Sequence, residues 1–461
     1  MSSVDYFVDR ATPRAMAALH HLVKASGHKP ASITALESGG RPDIPVADFF
    51  AGDLRTPEGE AISQAATPLA TIATFAGVDW LLDREPKLAE LNRSIGRGTL
   101  RLLMAFQAYQ SVRQFVLKVL AARALNPTSH VLVASTEMLP DPVVSQVVPD
   151  LVIHSYPVNG LLRRYWDASR IVLGALSRRM QLRLRAGEVG VGVHLGEMKV
   201  MASHDNDLIS DPTLRGQPHW IWDQDDHEDL SVLVFPGYHT NKELEGLDME
   251  PFEKAGVHVL SDAELGYSRR RASGTALDRD LASLSRVALS LAATNSDPRT
   301  RWAAGAAFRL LDETRTVSAV AKETETCCFL TAESHLLQSH AMAVAAEKMG
   351  VPLVAYQYSS LYTPTPAMLS TADHFLLFHK DFRSLFEYEG AAPGNFHATG
   401  YPYDCVFDRV KERAEEHRRN LEAAGARFVI CLFDESVSDG PYGSISSDAH
   451  LHDIHVVLRY L

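Results

Sequence analysis

Three groups of polar residues in the last third of the chain have side chains that could bind a ligand and move a proton. In chain order they are Glu333, Ser334 and His335, then Gln357, Tyr358, Ser359 and Ser360, then Tyr401, Tyr403 and Asp404. A carboxylate, an imidazole, an amide and several hydroxyl groups at one place suit a polyhydroxylated ligand. Within this set, Glu333 and His335 are the candidates for a general base. The alternative is that these residues only cap helices and close turns.

Each polar group follows an apolar run with the composition of a strand, so the surrounding elements can be predicted. The strands are Thr326–Thr331, Val351–Tyr356, His374–Phe378 and Asn395–Thr399, with a helix that ends before Gly350. Parallel strands joined by crossover helices are typical of a doubly wound sheet. Because ligands bind beyond the carboxyl ends of the strands in such a sheet, we expect the three polar groups to share one edge and face a groove.

The rest of the chain alternates between short apolar runs and amphipathic segments, which predicts an α/β fold. Val4–Val8 is the first predicted strand, and Asp9 and Arg10 at its carboxyl end are further candidates for contact with an acceptor. The other predicted elements are strands at His130–Ala134, Asp150–His154, Leu230–Phe235 and Val257–Leu260, and helices at Arg14–Ala25, Thr99–Leu125 and residues 276–322.

The stretch from Phe329 to Asp404 resembles the N-terminal domain of the GT-B glycosyltransferases that build capsule, lipopolysaccharide and related surface glycans. The residues that carry the similarity are the helix end Ala343–Pro352, the motif Tyr356-Gln357-Tyr358-Ser359, the segment Thr371–Phe375 and the turn Thr399–Asp404. Phe433-Asp434-Glu435-Ser436 is similar to the first strand and loop of the donor domain of that family. Many relatives carry Gln-His-Gly where this chain has Gln357-Tyr358-Ser359, so their histidine base has no counterpart here.

The resemblance implies a doubly wound, Rossmann-like N-terminal domain with a helical insertion, followed by an incomplete second Rossmann-like domain. The acceptor-side domain would cover residues 1–404, with the insertion around residues 57–126. A connector helix over residues 405–425 would lead to the start of the donor domain at residues 426–461.

The activity implied by the resemblance is transfer of a sugar from a nucleotide-activated donor to a glycan or lipid-linked acceptor in surface-polysaccharide synthesis. We expect the nucleotide sugar to be a substrate and no metal or other cofactor to be needed. The candidate catalytic residues are Glu333, His335 and Asp9. The candidate substrate-binding residues are Arg10, Gln357, Tyr358, Ser359, Tyr401, Asp434 and Glu435.

Two other functions fit the same pattern. One is a non-catalytic protein, similar to a glycosyltransferase, that binds glycan or assembles with a complete enzyme. The other is an enzyme similar to the nucleotide-sugar 2-epimerases, which needs no acceptor. The sequence contains no glycine-rich phosphate loop. The transferase, the non-catalytic protein and the epimerase therefore all stay open.

Charge and residue spacing argue against several classes of site. The net charge of −12 disfavours broad nucleic-acid binding, which needs a basic surface. Asp223–Asp226 has the acidic spacing of a metal motif but precedes a strand, so a solvated loop is the better interpretation. His450, His452 and His455 lack a known metal-binding pattern and indicate a surface helix. The cysteines form no CxxC motif, and we interpret them as reduced core residues.

The N-terminus has no signal-peptide pattern, and no apolar run reaches the roughly 18 residues that span a bilayer, so we predict a cytoplasmic protein. The segment from Arg163 to Arg185 combines arginines with apolar residues. It could contact the inner face of the membrane, although a solvated helix packed by its other side is the favoured interpretation. The triplet Arg269-Arg270-Arg271 is expected in a loop.

Overall fold

The protein divides into two compact units, each with its own parallel sheet. A computed structural model describes residues 3–8, 10–27, 29–37, 43–45, 54–126, 130–134, 139, 142–144, 152–155, 160–186, 191, 198–203, 230–235, 256–332, 336–357, 364–388, 392–401 and 404–427. Unit A comprises the described residues within Met1–Leu81 and Gln107–Arg163. Unit B comprises those within Leu82–Phe106 and Arg164–Arg427.

Unit A contains a four-stranded sheet whose strands run in parallel. Its elements are β1 (Ser3–Val8), α1 (Pro13–Ser26), β2 (Lys29–Ala35), β3 (His130–Ala134) and β4 (Val152–Ser155). The strand order is β2-β1-β3-β4. Two long helices belong to this unit in part, namely α2 (Ile62–Arg84) and α4 (Thr99–Leu125).

Local sequence signals set the limits of α1. Thr12 is its N-cap and accepts a hydrogen bond from the backbone N–H of Ala15 at 3.2 Å. Gly27 ends the helix with a φ of 66°, a left-handed conformation that favours glycine. The buried Leu19 then packs with Tyr6 and Val8 of β1 to form the core between helix and sheet.

Unit B contains seven strands, and every described pairing in its sheet is parallel. The strands are β5 (Met198–Ser203), β6 (Leu230–Phe235), β7 (Val257–Val259), β8 (Cys328–Thr331), β9 (Leu353–Tyr356), β10 (His374–Leu377) and β11 (Asn395–Ala398). Their spatial order is β11-β10-β9-β8-β5-β6-β7. The chain therefore builds outward from β5 in one direction, returns to the other side of β5 at β8 and continues to β11.

Helices and one 3₁₀ turn complete unit B. They are α3 (Pro86–Ile95), α5 (Gly160–Arg185), α6 (Asp262–Ala272), α7 (Ala276–Thr294), α8 (Pro298–Glu323), α9 (Leu337–Met349), the turn Lys380–Phe382, α10 (Arg383–Phe386) and α11 (Asp404–Ala423). Most residues of helix α8 are buried, and alanines form a large part of its buried surface. Its position makes it the central helix against which α7 and α9 pack.

The structure confirms the predicted α/β class and most of the predicted elements. The strands at His130–Ala134 and Leu230–Phe235 and the helix at Thr99–Leu125 have the predicted ends. Residues 198–203 form a strand that the sequence analysis did not predict. A helix covers most of the predicted connector, whereas residues 428–461 lie outside the described part of the chain.

The described strands within residues 1–404 belong to two sheets, one in each unit. The sequence analysis assigned this whole range to one acceptor-side domain, and that assignment stays a prediction. The predicted helical region at residues 57–126 contains α2, α3 and α4 and contributes to both units.

One helix in the described part of the chain, α2, is long and apolar enough to cross a membrane by length and composition. The sequence analysis predicted that no apolar run would be long enough to span a bilayer, whereas α2 is long enough by this measure. However, 61% of its apolar window is buried inside the protein. Such burial is typical of a core helix in a water-soluble protein.

Replacing Gly266 by alanine should destabilise unit B. Helix α6 crosses α5 so closely that a Cβ at Gly266 would collide with the backbone oxygen of Leu182 and lie 2.9 Å from the Cα of Ala186. Because backbone atoms cannot swing aside, we expect Gly266→Ala to cost about 1–3 kcal/mol of unfolding free energy, measured by urea denaturation.

Gly174→Ala is the matched control for that substitution. Gly174 lies within α5, and a Cβ there would meet nothing within 4 Å. This variant should therefore be stabilised by roughly 0.5–1 kcal/mol through its higher helix propensity. Equal effects of the two substitutions would contradict the close crossing of α5 and α6.

Candidate functional site

The strand order of unit B contains a topological switch point. The order reverses between β5 and β8, which are direct neighbours. At such a reversal in a doubly wound sheet, the connections lead away in opposite directions and a ligand crevice is expected beyond the carboxyl ends of the two strands. Ligands of open parallel sheets bind at such a topological switch point.

Two serines and a helix N-terminus lie at this switch point. Ser203 is the last residue of β5, and its hydroxyl oxygen is 3.5 Å from that of Ser339 in the first turn of α9. Leu336 is the N-cap of α9 and makes no side-chain capping hydrogen bond. The first N–H groups of a helix carry a partial positive charge, so this end of α9 is suited to an anionic ligand group.

Gln357 fixes the next two strand ends along the same edge. Its side chain is fully buried, and its Oε1 accepts a hydrogen bond from the backbone N–H of Phe378 at 3.0 Å. Its own backbone N–H donates to the carbonyl oxygen of Leu376 at 2.8 Å. Gln357, which the sequence analysis assigned to substrate binding, thus holds β9 and β10 together just after their last residues.

An aromatic pair extends the edge as far as β11. Tyr401 follows Gly400, which has a φ of 90°, and the Tyr401 side chain is exposed. Its ring meets the ring of Phe378 edge to face, with the centroids 5.1 Å apart. Gln357, Phe378 and Tyr401 are therefore neighbours, and the exposed Tyr401 ring offers an apolar surface with a hydroxyl group for a sugar or a base.

The adjacent positions of β8, β9, β10 and β11 confirm that the turns after these strands start from one edge of one sheet. The side chains that would complete the predicted site lie outside the described residues. These are Glu333, His335, Asp9, Tyr358, Ser359, Asp434 and Glu435. Their roles stay predictions.

Arg10 belongs to unit A, where it takes part in a charged cluster. Its Nε donates to Oε2 of Glu37 at 2.9 Å, and Nζ of Lys118 lies 3.0 Å from the other oxygen of Glu37. Partial burial would raise the pKa of Glu37, but Lys118 and Arg10 together lower it below its ordinary value. The sequence analysis found Arg10 but missed Glu37, because β2, which precedes it, was not predicted.

The opposite edge of the unit B sheet is held by Asp373. This carboxylate accepts a hydrogen bond from the backbone N–H of Leu353 at 2.8 Å and pairs with Nη2 of Arg97 at 2.9 Å. Partial burial would raise the pKa of Asp373, but the Leu353 N–H and the Arg97 guanidinium lower it overall. The aspartate that precedes strand β10 in the sequence motif thus fixes the amino-terminal edge of the sheet.

Arg269 links two helices of unit B. The triplet Arg269-Arg270-Arg271 forms the last turn of α6, so the prediction of a loop is wrong. Arg269 pairs with Asp312 of α8 and donates to the hydroxyl oxygen of Thr316 at 2.8 Å. Both members of the Arg269–Asp312 pair are largely buried, so the pair joins α6 to α8 inside the protein.

The described residues contain no group of three or more histidine, cysteine, aspartate or glutamate side chains placed to hold a metal ion. Asp223–Asp226 and the histidines from His450 to His455 lie outside the described residues. Cys327 and Cys328 are free thiols, and burial raises the pKa of Cys328 to about 11. Cys327 is exposed, which corrects its assignment to the core.

Comparison of the chain with protein-family models, with curated proteins and with solved structures found no match.

The Asp373 carboxylate should make the stability of unit B depend on pH in the acidic range. Its pKa is lowered in the folded state, so its contribution is present above the unfolded pKa of about 4 and is lost as pH falls through the folded value. We expect Asp373→Asn to cost on the order of 1 kcal/mol at neutral pH, a figure reduced for solvent screening.

The Asp373 effect can be tested by urea denaturation from pH 7 to pH 3, with Arg97→Gln as the partner substitution. The loss caused by Asp373→Asn should begin to shrink as pH falls through about 4, because this carboxyl group takes up its proton in the unfolded wild-type chain before it does so in the folded protein. A loss that stays constant across this range would refute the assignment.

Proposed function

We propose that the switch point of the unit B sheet binds the phosphate groups of a nucleotide-activated sugar, and that the protein transfers this sugar to a surface-polysaccharide acceptor in the manner of a GT-B glycosyltransferase. The observation that carries this proposal is the start of α9 beside the end of β5, where Ser203 and Ser339 lie together. Phosphate binding at a helix N-terminus that lies at a switch point is a recurrent arrangement in doubly wound folds.

The strand order supports a nucleotide as the ligand. If the strands of unit B are counted from β5, their spatial order is 3-2-1-4-5-6-7. The first six follow the order of the Rossmann dinucleotide-binding folds, and β11 is an additional edge strand. Two α/β units in one chain also fit the two-domain form of GT-B enzymes.

This proposal assigns the nucleotide to unit B, where the sequence-based assignment put the acceptor side. The reason is physical, because a diphosphate needs hydrogen-bond donors and positive potential, and the described part of unit B offers both at the start of α9. The exposed ring of Tyr401 would stack on the base or the sugar farther along the same edge. Glu333 and His335, which stand between β8 and α9 in the sequence, are the proposed general bases.

The departing group in this reaction would be a nucleoside diphosphate. Its negative charge grows as the bond to the sugar breaks, and the fixed dipoles at the start of α9 would stabilise that charge without reorganising. The acceptor hydroxyl would lose its proton to Glu333 or His335 as it attacks the sugar. The binding energy and the chemistry thus come from neighbouring parts of one edge.

Binding is tested most directly by changing Ser339. Ser339→Asp places a carboxylate in the first turn of α9, where it repels a phosphate group. Because Ser339 is buried, the carboxylate also lowers the stability of the ligand-free variant, so each ligand-dependent Tm change is measured against the same variant without ligand. A nucleotide sugar at one hundred times its Kd should stabilise the wild-type protein by about 2.7 kcal/mol, seen as a rise in Tm. The aspartate variant should bind at least about tenfold more weakly, so at the same ligand concentration its stabilisation should fall to about 1.4 kcal/mol or less.

Ser339→Ala is the matched control, because it keeps the backbone N–H groups of α9 and should bind within a few-fold of the wild type. The panel should include uridine, cytidine, guanosine and adenosine diphosphates and their sugar conjugates. Absence of any ligand-dependent Tm rise in the wild type, or an equal rise in Ser339→Asp, would overturn the proposed site.

Two other functions of the same site remain distinguishable by their products. A 2-epimerase would convert one labelled nucleotide sugar into its epimer and would need no acceptor. A non-catalytic glycan-binding or assembly protein would bind the ligand but release no nucleoside diphosphate. Chromatography of one labelled nucleotide sugar with and without an acceptor glycan therefore separates the three.

A further inference from the structure

Helix α5 carries a continuous row of exposed apolar side chains. Leu173, Leu176, Met180 and Leu184 are spaced by three and four residues, so they lie along one face of the helix. Their exposed fractions are 60%, 37%, 62% and 76%. We call these four side chains the apolar stripe. Large apolar side chains exposed in a contiguous row mark a surface that contacts another molecule or a membrane.

The opposite face of α5 holds the helix in unit B. Ala175 and Leu182 on that face are buried, and Val172 packs against the cluster formed by residues of α7 and α8. Arg178 points the same way, because its Nη2 lies 2.7 Å from Oδ1 of the buried Asp262. The apolar stripe is therefore not required to attach α5 to the rest of the unit.

Arginines border the apolar stripe on both sides. Arg170 precedes Leu173 by three residues, Arg183 follows Met180 by three, and both side chains are exposed. Arg185 does not belong to this border, because it pairs with the buried Asp262 on the same side of α5 as Arg178.

We infer that the apolar stripe and its bordering arginines bind the surface of a membrane that contains anionic lipids. The helix would lie in the plane of the membrane, with its leucines and methionine in the acyl boundary and its arginines at the lipid phosphates. The whole chain has a net charge of −12, so an anionic surface would repel most of the protein. At α5, local cationic charge beside an apolar row would offset that repulsion.

A second copy of the chain fits this surface less well. A two-fold interface through the stripe would bring Arg170 and Arg183 close to the same cationic residues of the partner copy. Four side chains on one helix also cover only a few hundred Å², whereas a stable interface needs about 800 Å² on each partner. Charge and area therefore both favour the lipid surface. The inference does not depend on the proposed glycosyl transfer.

Co-sedimentation with large vesicles tests the inference on the full chain. The wild type should bind vesicles of phosphatidylcholine mixed with phosphatidylglycerol and should bind vesicles of phosphatidylcholine alone much more weakly. Leu184→Glu places a charge in the most exposed position of the stripe. We expect this variant to bind the anionic vesicles about tenfold or more weakly, since an apolar group is lost and a like charge is gained.

Val287→Glu is the matched control, because Val287 is 41% exposed on α7 and lies outside the stripe. It should bind vesicles like the wild type. Arg183→Gln should weaken binding to anionic vesicles, and Arg183→Lys should restore most of it. Both glutamate variants should keep the wild-type Tm, which separates a binding defect from unfolding.

Three results would overturn the inference. The first is a wild type that does not sediment with anionic vesicles, and the second is equal binding by Leu184→Glu and Val287→Glu. The third is a dimer seen by light scattering that Leu184→Glu dissociates while vesicle binding is unchanged, which would make the stripe a contact between protein chains.

Discussion

The parallel pairing of β5 with β8 is the constraint on which unit B depends. Val200 pairs with Cys328 and Ala202 with Leu330, so two segments far apart in the chain become neighbours in the sheet. Strands β6 and β7 lie on one side of this pair, and strands β9, β10 and β11 lie on the other side. The pairing thereby brings the end of β5 beside the start of α9. Every feature that we attribute to the carboxyl edge follows from it.

The two edges of this sheet have different physical properties. At the amino-terminal edge, the Asp373 carboxylate uses both oxygens on Arg97 and on the backbone of Leu353, so its charge is neutralised within the fold. At the carboxyl edge, the buried Gln357 fixes two strands with a neutral amide, and an exposed aromatic ring stands next to it. Gln357 thus joins these two strands at the carboxyl edge without placing a buried charge there, in contrast to Asp373 at the amino-terminal edge.

The arginines of α5 show how one helix divides its charge between the interior and the surface. Arg178 is bound to a buried aspartate, and the cost of burying either charge alone keeps this pair together. Arg170 and Arg183 remain exposed to solvent. Composition alone cannot separate these roles, because the same residue type serves both.

The sequence determined the local elements, since strand runs, caps and helix-ending glycines act through neighbouring residues. Gly350, with a φ of 68°, ended α9 where its position after Met349 predicted. The tertiary structure alone decided the strand order, the division into two units, the buried partner of Arg269 and the exposure of the apolar stripe. Each of these depends on which distant segments pack together. Such packing is fixed by the sum of many weak contacts, and no single motif records it.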